Sequence, residues 1–226
     1  MRRSSCLILV AISLLASLAG NSLLAETPGV IYEGKDGPGK GKHIVFIASD
    51  HEYRGEETCP AIARILAYRY GFKCTVLFGL DSEGYVQPGS SNIPGMEALG
   101  EADMMFLFLR FVAPNDDSMK HFSDYLARGG PVAGLRTTTH AFNGLKGENS
   151  RYNFNSQNES YHLGFGRQVL GETWRPREGA GHYGRNHKYS TRMFTVPEKK
   201  DHPVMRGVND MHAMAGAYSA VPIQGS

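Results

Sequence analysis

The strongest constraint on the fold is a series of continuous apolar runs, each ending in charged or polar residues. The runs are His43–Ser49, Phe72–Phe78, Asp103–Leu109 and the shorter Pro131–Leu135. Apolar runs of this length without polar alternation are typical of strands buried on both faces of a parallel sheet. The segments between these runs have apolar residues at helical spacing. The alternation of strands and helices predicts the doubly wound α/β class.

Two helices are predicted between these runs. The first begins near Glu56, where acidic side chains suit the positive end of a helix, and ends at Gly71, a common helix cap. Its apolar side chains at helical spacing are Ile62, Ile65 and Leu66. The second begins at Pro114 and runs to Ala127. Its expected core-facing side chains are Met119, Phe122, Tyr125 and Leu126. A short helix is also expected at Gly95–Gly100.

The segment after His140 has a different composition. Residues 141–190 are rich in Gly, Asn, Arg, Tyr and His, and poor in Ile, Leu and Val. A helix is expected at Tyr161–Leu170 and a strand at Ser190–Val196. Long loops in compact domains are usually functional, so this segment is expected to contribute to a site.

The N-terminal residues have the pattern of a secretory signal peptide. Arg2 and Arg3 form a positive region, Cys6–Gly20 is apolar, and Ala25 is a small residue suited to cleavage. The sequence thus predicts a bacterial-type signal peptide at 1–25, a Gly- and Lys-rich linker at 26–41 and one α/β domain at 42–226. The alternative is an uncleaved anchor, although the run is shorter than the ~20 residues of a spanning helix. The expected location is periplasmic or extracellular, without a membrane span after cleavage.

The charge of the chain argues against a nucleic-acid-binding protein, and its cysteine content argues against a disulfide-rich domain. Arg2 and Arg3 account for the formal net charge of +2, so the remaining chain offers no basic excess for nucleic acid. Beyond the signal lie Cys59 and Cys74, and two isolated cysteines are no disulfide framework. They are expected to be packed thiols. The alternatives are a disulfide between them and a nucleophilic Cys59 at a helix N-terminus.

Polar side chains follow the predicted strands, at the edge where a parallel sheet binds ligands. Histidines and carboxylates can transfer protons near neutral pH, and guanidinium groups hold anions or polarised oxygens. The expected catalytic residues are His51, Glu52, Arg136 and His140. The expected substrate-binding residues are Arg54, Arg110, Thr137, His182 and His187.

Several of these candidates also have a structural interpretation. His51 and Glu52 would cap the helix that follows, and Arg136 would pair with a helix carboxylate. His182 and His187 would bind a metal ion as an alternative to binding substrate. Because their spacing in a loop matches no zinc motif, neither a metal nor another cofactor is expected.

The polar turn after the fourth strand lacks a nucleophile. In strand–turn–helix nucleophile elbows the tip residue is Ser or Cys. Here the turn reads Gly134-Leu135-Arg136-Thr137. The turn is therefore expected to hold a substrate through Arg136 rather than to attack it.

Four segments together resemble the ThuA-like, or trehalose utilisation, family: Asp50–Arg54, Gly129–Arg136, His182–His187 and His202–Val208. The resemblance covers residues 42–226 and implies the class I glutamine amidotransferase-like fold, a flavodoxin-like three-layer α/β sandwich with a parallel sheet. Where true glutaminases carry the nucleophilic Cys, this chain has Leu135-Arg136, so glutamine hydrolysis is not expected. Family members continue with further strands and a helix, so the chain is expected to be a fragment lacking its C-terminal part.

The resemblance also implies a role in disaccharide utilisation, with processing of keto-sugars. The first expectation is acid–base chemistry in which His51 or His140 moves a proton beside a carbonyl, while Arg136 holds the oxygen on which charge develops. The alternative is a non-catalytic carbohydrate-binding or interaction module, with sugars stacked on the loop Tyr152–Tyr161. A third hypothesis is metal-assisted hydrolysis by the loop histidines. A small carbohydrate is the expected ligand, and monomer and homo-oligomer both stay open.

Overall fold

A computed structural model describes residues 28–174 and 190–214, together with the backbone pairing of 181–183 and 217–219. The predicted signal peptide and His187 lie outside the described residues. No helix in the described part of the chain has the length and apolar character needed to cross a membrane.

The centre of the fold is a five-stranded, mostly parallel sheet. Its strands are β1 (Val30–Tyr32), β2 (His43–Ser49), β3 (Lys73–Phe78), β4 (Met104–Leu109) and β5 (Val132–Gly134). The order across the sheet is β1-β3-β2-β4-β5, and every neighbouring pair is parallel except β1 with β3. The four predicted strands are confirmed, β2 with its predicted bounds and the others slightly shorter. The mixed α/β class is therefore confirmed.

The segment expected to be a linker contributes β1 to this sheet. Val30 lies opposite Val76, and Tyr32 lies opposite Cys74, in antiparallel register. The chain then passes so close to the end of the first helix that a Cβ on Gly37 would lie 2.3 Å from the carbonyl oxygen of Tyr70. Its glycines thus permit close packing, which a composition rich in glycine does not distinguish from flexibility.

Helix α1 (Gly55–Tyr70) covers one face of the sheet. The side chains that it buries are small and recur every fourth residue, as Cys59, Ala63 and Ala67. Of the apolar residues at helical spacing in the sequence, Ile62 and Leu66 are partly buried against this face, whereas Ile65 is 55% exposed. Small side chains let α1 lie close to the aromatic residues of the sheet. These are Phe46, Phe78 and Phe108.

Helix α2 (Asp116–Ala127) covers the opposite face. The Asn115 side chain caps its first turn by accepting the Ser118 N–H at 2.8 Å. The predicted core positions are confirmed, with three buried and the last partly buried: Met119, Phe122, Tyr125 and Leu126. Aromatic rings from the segment after β5 pack against Phe122 and complete this side of the core. They belong to Phe142, Tyr152 and Phe165.

The segment between β5 and residue 174 is built from short turns. 3-10 turns form at Arg136–His140, Gly147–Tyr152 and Glu159–Tyr161, and a π-type turn forms at Gly166–Leu170. The prediction of one helix at 161–170 is wrong. Its physical reason is the positive φ of Leu163 (62°) and Gly164 (68°), which a continuous right-handed helix does not accept.

Two pairs of short antiparallel strands lie near the end of the described chain. β6 (Gly181–Tyr183) pairs with β9 (Ala217–Ser219), and β7 (Thr191–Met193) pairs with β8 (Met211–Ala213). The strand expected at 190–196 is thus present as the shorter β7. Between β7 and β8, His202 caps a 3-10 turn by accepting the Val204 N–H at 3.2 Å.

Candidate functional site

Two neighbouring strands of the sheet, β2 and β4, end where the strand order reverses. The chain leaves β2 for β3 on one side, while β4 lies on the other side. Open α/β sheets bind ligands beyond the carboxyl ends of the strands at such a switch point. Ser49 pairs with Leu109, and the Arg110 N–H donates to the Ser49 carbonyl at 3.2 Å. The residues that follow β2 and β4 therefore emerge side by side.

Arg110 joins His51 and Glu52 into what we name the switch-point cluster. Its Nη1 donates to His51 Nε2 at 2.5 Å, and its Nε lies 2.9 Å from Glu52 Oε2. The buried Nε–H makes no hydrogen bond, so the contact with Glu52 is an ion pair without hydrogen-bond geometry. Because a guanidinium group only donates, His51 Nε2 accepts here and carries no proton.

The cluster is open to solvent on one side. The side chains of Arg110 and Glu52 are 20% and 29% exposed. On another side the loop after β3 packs on the imidazole, since a Cβ on Gly89 would lie 2.8 Å from His51 Nδ1. A ligand therefore has access to the cluster from the solvent side, while the loop restricts the imidazole.

Hydrogen bonds fix that loop against both strands. The Ser49 hydroxyl donates to the Ser90 carbonyl at 2.7 Å. The Ala113 N–H donates to Ser91 Oγ at 2.8 Å. Nothing in the sequence indicated that this loop would contact His51.

Asp50 organises the turn after β2 and was not among the predicted site residues. It is 1% exposed. Its Oδ1 accepts the backbone N–H groups of Glu52 at 2.6 Å and Tyr53 at 2.7 Å, and its Oδ2 accepts the Thr137 hydroxyl. Asp directly after a strand commonly bonds the backbone two or three residues on, which is the signal that identifies it. The predicted substrate-binding residue Thr137 is itself buried and donates this bond inward.

Arg136 occupies the tip of the turn after β5 with a φ of 42°. Its Cζ lies 4.3 Å from the centre of the Tyr53 ring, and its Nη2 donates to Tyr53 Oη at 3.1 Å. Tyr53 was not predicted, although it stands beside predicted residues. A strand, a strained tip residue and a helical turn form the shape of a nucleophile elbow, with Arg136 where Ser or Cys would be.

Backbone strain is concentrated at this edge of the sheet. In the described chain, the non-glycine residues with positive φ are Arg54, Phe111, Arg136 and Leu163. The first three lie in the turns after β2, β4 and β5. Such conformations cost about 1–3 kcal/mol each and cluster at functional sites. The side chain of Arg54 pairs with Glu57 on α1 and is 73% exposed, so its described contacts are made away from the cluster.

His140 is buried among aromatic rings and is 2% exposed. Its ring centre lies 5.0 Å from that of Phe111 and 5.1 Å from that of Trp174. Its carbonyl accepts the Phe111 N–H at 3.1 Å. The Phe111 ring also lies under the Arg110 guanidinium, 4.7 Å from Cζ to ring centre. Phe111 thereby connects His140 with the switch-point cluster, and His140 supports that ring from within.

The cysteines are packed thiols, as expected. Cys59 and Cys74 are free and fully buried. Burial disfavours the thiolate and raises the pKa of each thiol to about 12, and Glu56 adds to the effect at Cys59. Neither thiol is activated for nucleophilic attack near neutral pH.

The structure does not describe the side chains of the two loop histidines that were expected to bind substrate or a metal ion. His182 is in β6, where only the backbone pairing is described, and His187 lies outside the described residues. Among the side chains that the structure describes, no group of three or more His, Cys, Asp or Glu is arranged to hold a metal ion.

The chain was compared with family models, with curated proteins and with solved structures, and no match was found in any of the three comparisons.

Proposed function

We propose that this chain is an exported ThuA-like domain that binds a small carbohydrate and performs acid–base chemistry on a carbonyl group or glycosidic bond of that sugar. The observation that carries the proposal is Arg110 held between the His51 imidazole and the Glu52 carboxylate at the switch point. For the fold, the parallel order β3-β2-β4-β5 corresponds to the first four strands of the 2-1-3-4-5 order of flavodoxin-like sheets, which supports a flavodoxin-like sandwich.

The charges of the cluster suit an uncharged ligand. Glu52 offsets the positive charge of Arg110 at 2.9 Å, so the pair has no excess charge for a phosphate. Arg110 remains a strong hydrogen-bond donor to an oxygen on which negative charge develops. A ketone oxygen on a neutral sugar has this character.

A proton-transfer step follows from the same geometry. A substrate oxygen that takes the Nη1 donor of Arg110 releases His51 Nε2, which is unprotonated and faces the same point. His51 then accepts a proton from the carbon or hydroxyl beside the carbonyl, and Arg110 stabilises the oxygen that gains charge. Glu52 keeps Arg110 in position, and Arg136 is proposed as a second group that binds sugar oxygens.

Glutamine hydrolysis does not fit these residues. The tip of the elbow-shaped turn carries Arg136, which is not a nucleophile. The thiols of Cys59 and Cys74 are buried and have pKa values raised to about 12. We therefore propose a reaction without a thiol intermediate.

The second candidate is a non-catalytic carbohydrate-binding module. In the sequence this idea rested on aromatic residues of the loop 152–161, but Tyr152 is 3% exposed and packs in the core. Half-buried aromatic residues beside the cluster, Phe111, Phe154 and Trp174, now favour it instead.

One experiment separates the two candidates. The purified protein is incubated with a disaccharide that has one ring hydroxyl oxidised to a ketone, and in parallel with the unoxidised parent sugar. Chromatography with mass detection then follows substrate and products. Conversion of the keto-sugar supports the enzyme, and saturable binding without conversion supports the module. Neither binding nor conversion across a panel of keto-disaccharides contradicts both.

A further inference from the structure

We propose that Gly89-Ser90-Ser91, which we name the spacer, sets the position of His51 relative to Arg110, with Gly89 as a positioning residue for the His51 imidazole. The inference rests on the proposed function for the reaction that His51 performs. The positioning itself, however, is measured without any substrate.

Two of the three spacer residues contact the chain on either side of the switch point. The Ser90 carbonyl accepts the Ser49 hydroxyl at 2.7 Å, at the end of β2. Ser91 Oγ accepts the Ala113 N–H at 2.8 Å, in the turn after β4. These are the two chain segments that carry the switch-point cluster. One short segment therefore connects both halves of the cluster.

The spacer is fixed within its own loop. Ser90 Oγ donates to the Leu80 carbonyl at 2.7 Å, and the Leu80 N–H donates to the Asn92 carbonyl at 2.8 Å. A Cβ on Gly79 would lie 2.4 Å from Ser49 Oγ and 2.8 Å from the Ser90 carbonyl oxygen. The two ends of the loop are thus bonded to each other and packed against the end of β2. The spacer has little freedom to follow a displaced side chain.

The backbone of Gly89 lies against the His51 side chain. A Cβ on Gly89 would lie 2.8 Å from Nδ1, 3.0 Å from Cβ and 3.1 Å from Cγ of His51. Rotation of the imidazole about the Cβ–Cγ bond leaves both carbons in place, so the ring cannot turn away from a side chain at position 89. Because atoms this close overlap, such a side chain would shift either His51 or the spacer.

The imidazole is held between Gly89 and Arg110. In an imidazole ring the Cγ–Nδ1 bond lies opposite Nε2. Gly89 lies beside the atoms of that bond, and Arg110 Nη1 donates to Nε2 at 2.5 Å. A displacement of the imidazole away from Arg110 is therefore a displacement towards Gly89, which the spacer opposes.

This contact matters when a substrate oxygen takes the place of His51 on Arg110. The imidazole then loses one hydrogen bond, while its contact with Gly89 stays. A general base has to lie within hydrogen-bond reach of the proton that it accepts, and a misplacement of about 1 Å can cost about 100-fold in rate. The spacer thus keeps His51 Nε2 in position during the proposed reaction.

A pair of glycine variants in one loop tests the role of Gly89. Gly89 and Gly84 have φ of 80° and 90°, so alanine brings similar backbone strain at both positions. A Cβ on Gly84, unlike one on Gly89, would have no other group within 4 Å. The readout is the His51 Nε2 resonance in two-dimensional 1H–15N spectra at one fixed pH, assigned by its loss in His51→Gln.

We expect Gly89→Ala to shift the His51 Nε2 resonance away from its wild-type position and Gly84→Ala to leave it there. Circular dichroism checks that both variants are folded. An unshifted resonance in folded Gly89→Ala, or equal shifts in both variants, overturns the proposal.

A second pair of variants leaves the contact surface of His51 itself untouched. Ser91→Ala removes the acceptor of the Ala113 N–H, and Ser82→Ala makes the same change at an exposed position of the same loop. Ser91→Ala is expected to shift the His51 Nε2 resonance, and Ser82→Ala to leave it unchanged. An unshifted resonance in folded Ser91→Ala overturns the role of the spacer, whether or not Gly89→Ala folds.

Kinetics separate failure of the spacer from failure of the proposed function. With a keto-disaccharide that wild type converts, Gly89→Ala is expected to lower kcat at least about tenfold with KM unchanged, and Gly84→Ala to keep wild-type values. Wild-type kcat in Gly89→Ala rejects the spacer and leaves the proposed function standing. A His51 resonance that depends on Gly89, without conversion of any keto-sugar by wild type, rejects the proposed function and leaves the positioning of His51 standing.

Discussion

At the scale of single residues, Asp50 connects the two turns that carry the candidate site. One carboxylate oxygen fixes the backbone that presents Glu52 and Tyr53, and the other accepts the hydroxyl of Thr137. Thr137 directly follows Arg136 in the chain. A buried carboxylate of this kind is costly unless all its bonds are made, so the geometry of both turns depends on it.

Removing the Thr137 hydroxyl tests this connection. Thr137→Val keeps the shape of the side chain but leaves Asp50 Oδ2 without its buried donor. A hydrogen bond to a charged group contributes about 1.5–3 kcal/mol, and we expect a loss of that size in urea unfolding. Thr58→Val on α1 is the matched control. An equal, small effect of both substitutions would show that Asp50 does not depend on Thr137.

His43 makes stability depend on pH. Burial lowers the pKa of His43 below 6.5, and Lys73 adds to this, while Glu33, Asp103 and Glu101 act in the opposite direction. The unfolded chain therefore binds a proton at His43 more readily than the native chain. Stability is complete above the unfolded pKa and is lost as the pH falls below it.

The measurement is urea unfolding of wild type and His43→Gln at about pH 7.5 and about pH 5. Wild type is expected to lose more stability on acidification than His43→Gln. His212→Gln, at an exposed position of β8, serves as the control and should follow wild type. A His43→Gln variant that loses as much stability as wild type would contradict this account of His43.

Some site residues were accessible to sequence reasoning and others were not. His51, Glu52 and Arg110 stand directly after apolar strands, so their position at the sheet edge follows from local pattern. Asp50 carries a recognisable turn signal. The stacking of Arg136 on Tyr53 depends on the side-by-side placement of two distant turns, which no local pattern contains.

At the scale of elements, α1 packs through small residues. Cys59, Ala63 and Ala67 lie against a sheet whose facing side chains are large, and the helix axis is therefore held close to the strands. A helix of this kind has little room for larger side chains on its buried face, because protein interiors are close-packed.

Substitutions on the two faces of α1 should have unequal effects. Ala63→Leu inserts a large side chain at a position with 0% exposure and is expected to cost about 1–3 kcal/mol in urea unfolding. Ile65→Ala removes a side chain that is 55% exposed and is expected to change stability by about 0.5 kcal/mol or less. A larger loss for Ile65→Ala would mean that the apolar spacing in the sequence, and not the small residues, marks the packed face.

An element could be predicted from the sequence when the signals that form it lie within its own residues. β2 and α2 were predicted well, since a long apolar run and a capped amphipathic pattern are local signals. β1 has three residues within a Gly-rich segment, and it forms because β3 offers an unpaired edge. The helix expected at 161–170 fails because Leu163 and Gly164 take positive φ, and Gly164 packs against the backbone of Asn153.

At the scale of the whole molecule, the strand order creates the site. Residues 51 and 110 are far apart in the sequence, and they meet because β2 and β4 are neighbours in parallel register. The apolar runs predicted a parallel sheet but did not fix its order. The right-handed crossover rule restricts the order without selecting it. For this reason the individual residues were predictable, but their assembly into one cluster was not.

The arrangement of the whole sheet also explains why charged side chains, strained turns and aromatic rings occur together at one edge. Strained turns follow β2, β4 and β5 at one edge of the sheet, and the described scaffold beneath them is well packed on both faces. A rigid scaffold can support such turns, which then hold Arg110, Arg136 and Phe111 in fixed positions.

The most direct test of the account is the effect of Arg110 on conversion of a keto-disaccharide. Arg110→Met removes the charge but keeps much of the side-chain volume, and Arg64→Met makes the same change on α1, where Arg64 lies over Tyr68. We expect Arg110→Met to lower kcat/KM at least about 100-fold with a Tm near that of wild type, and Arg64→Met to retain wild-type kcat/KM. Wild-type kcat/KM in folded Arg110→Met would contradict the assignment of chemistry to the switch-point cluster.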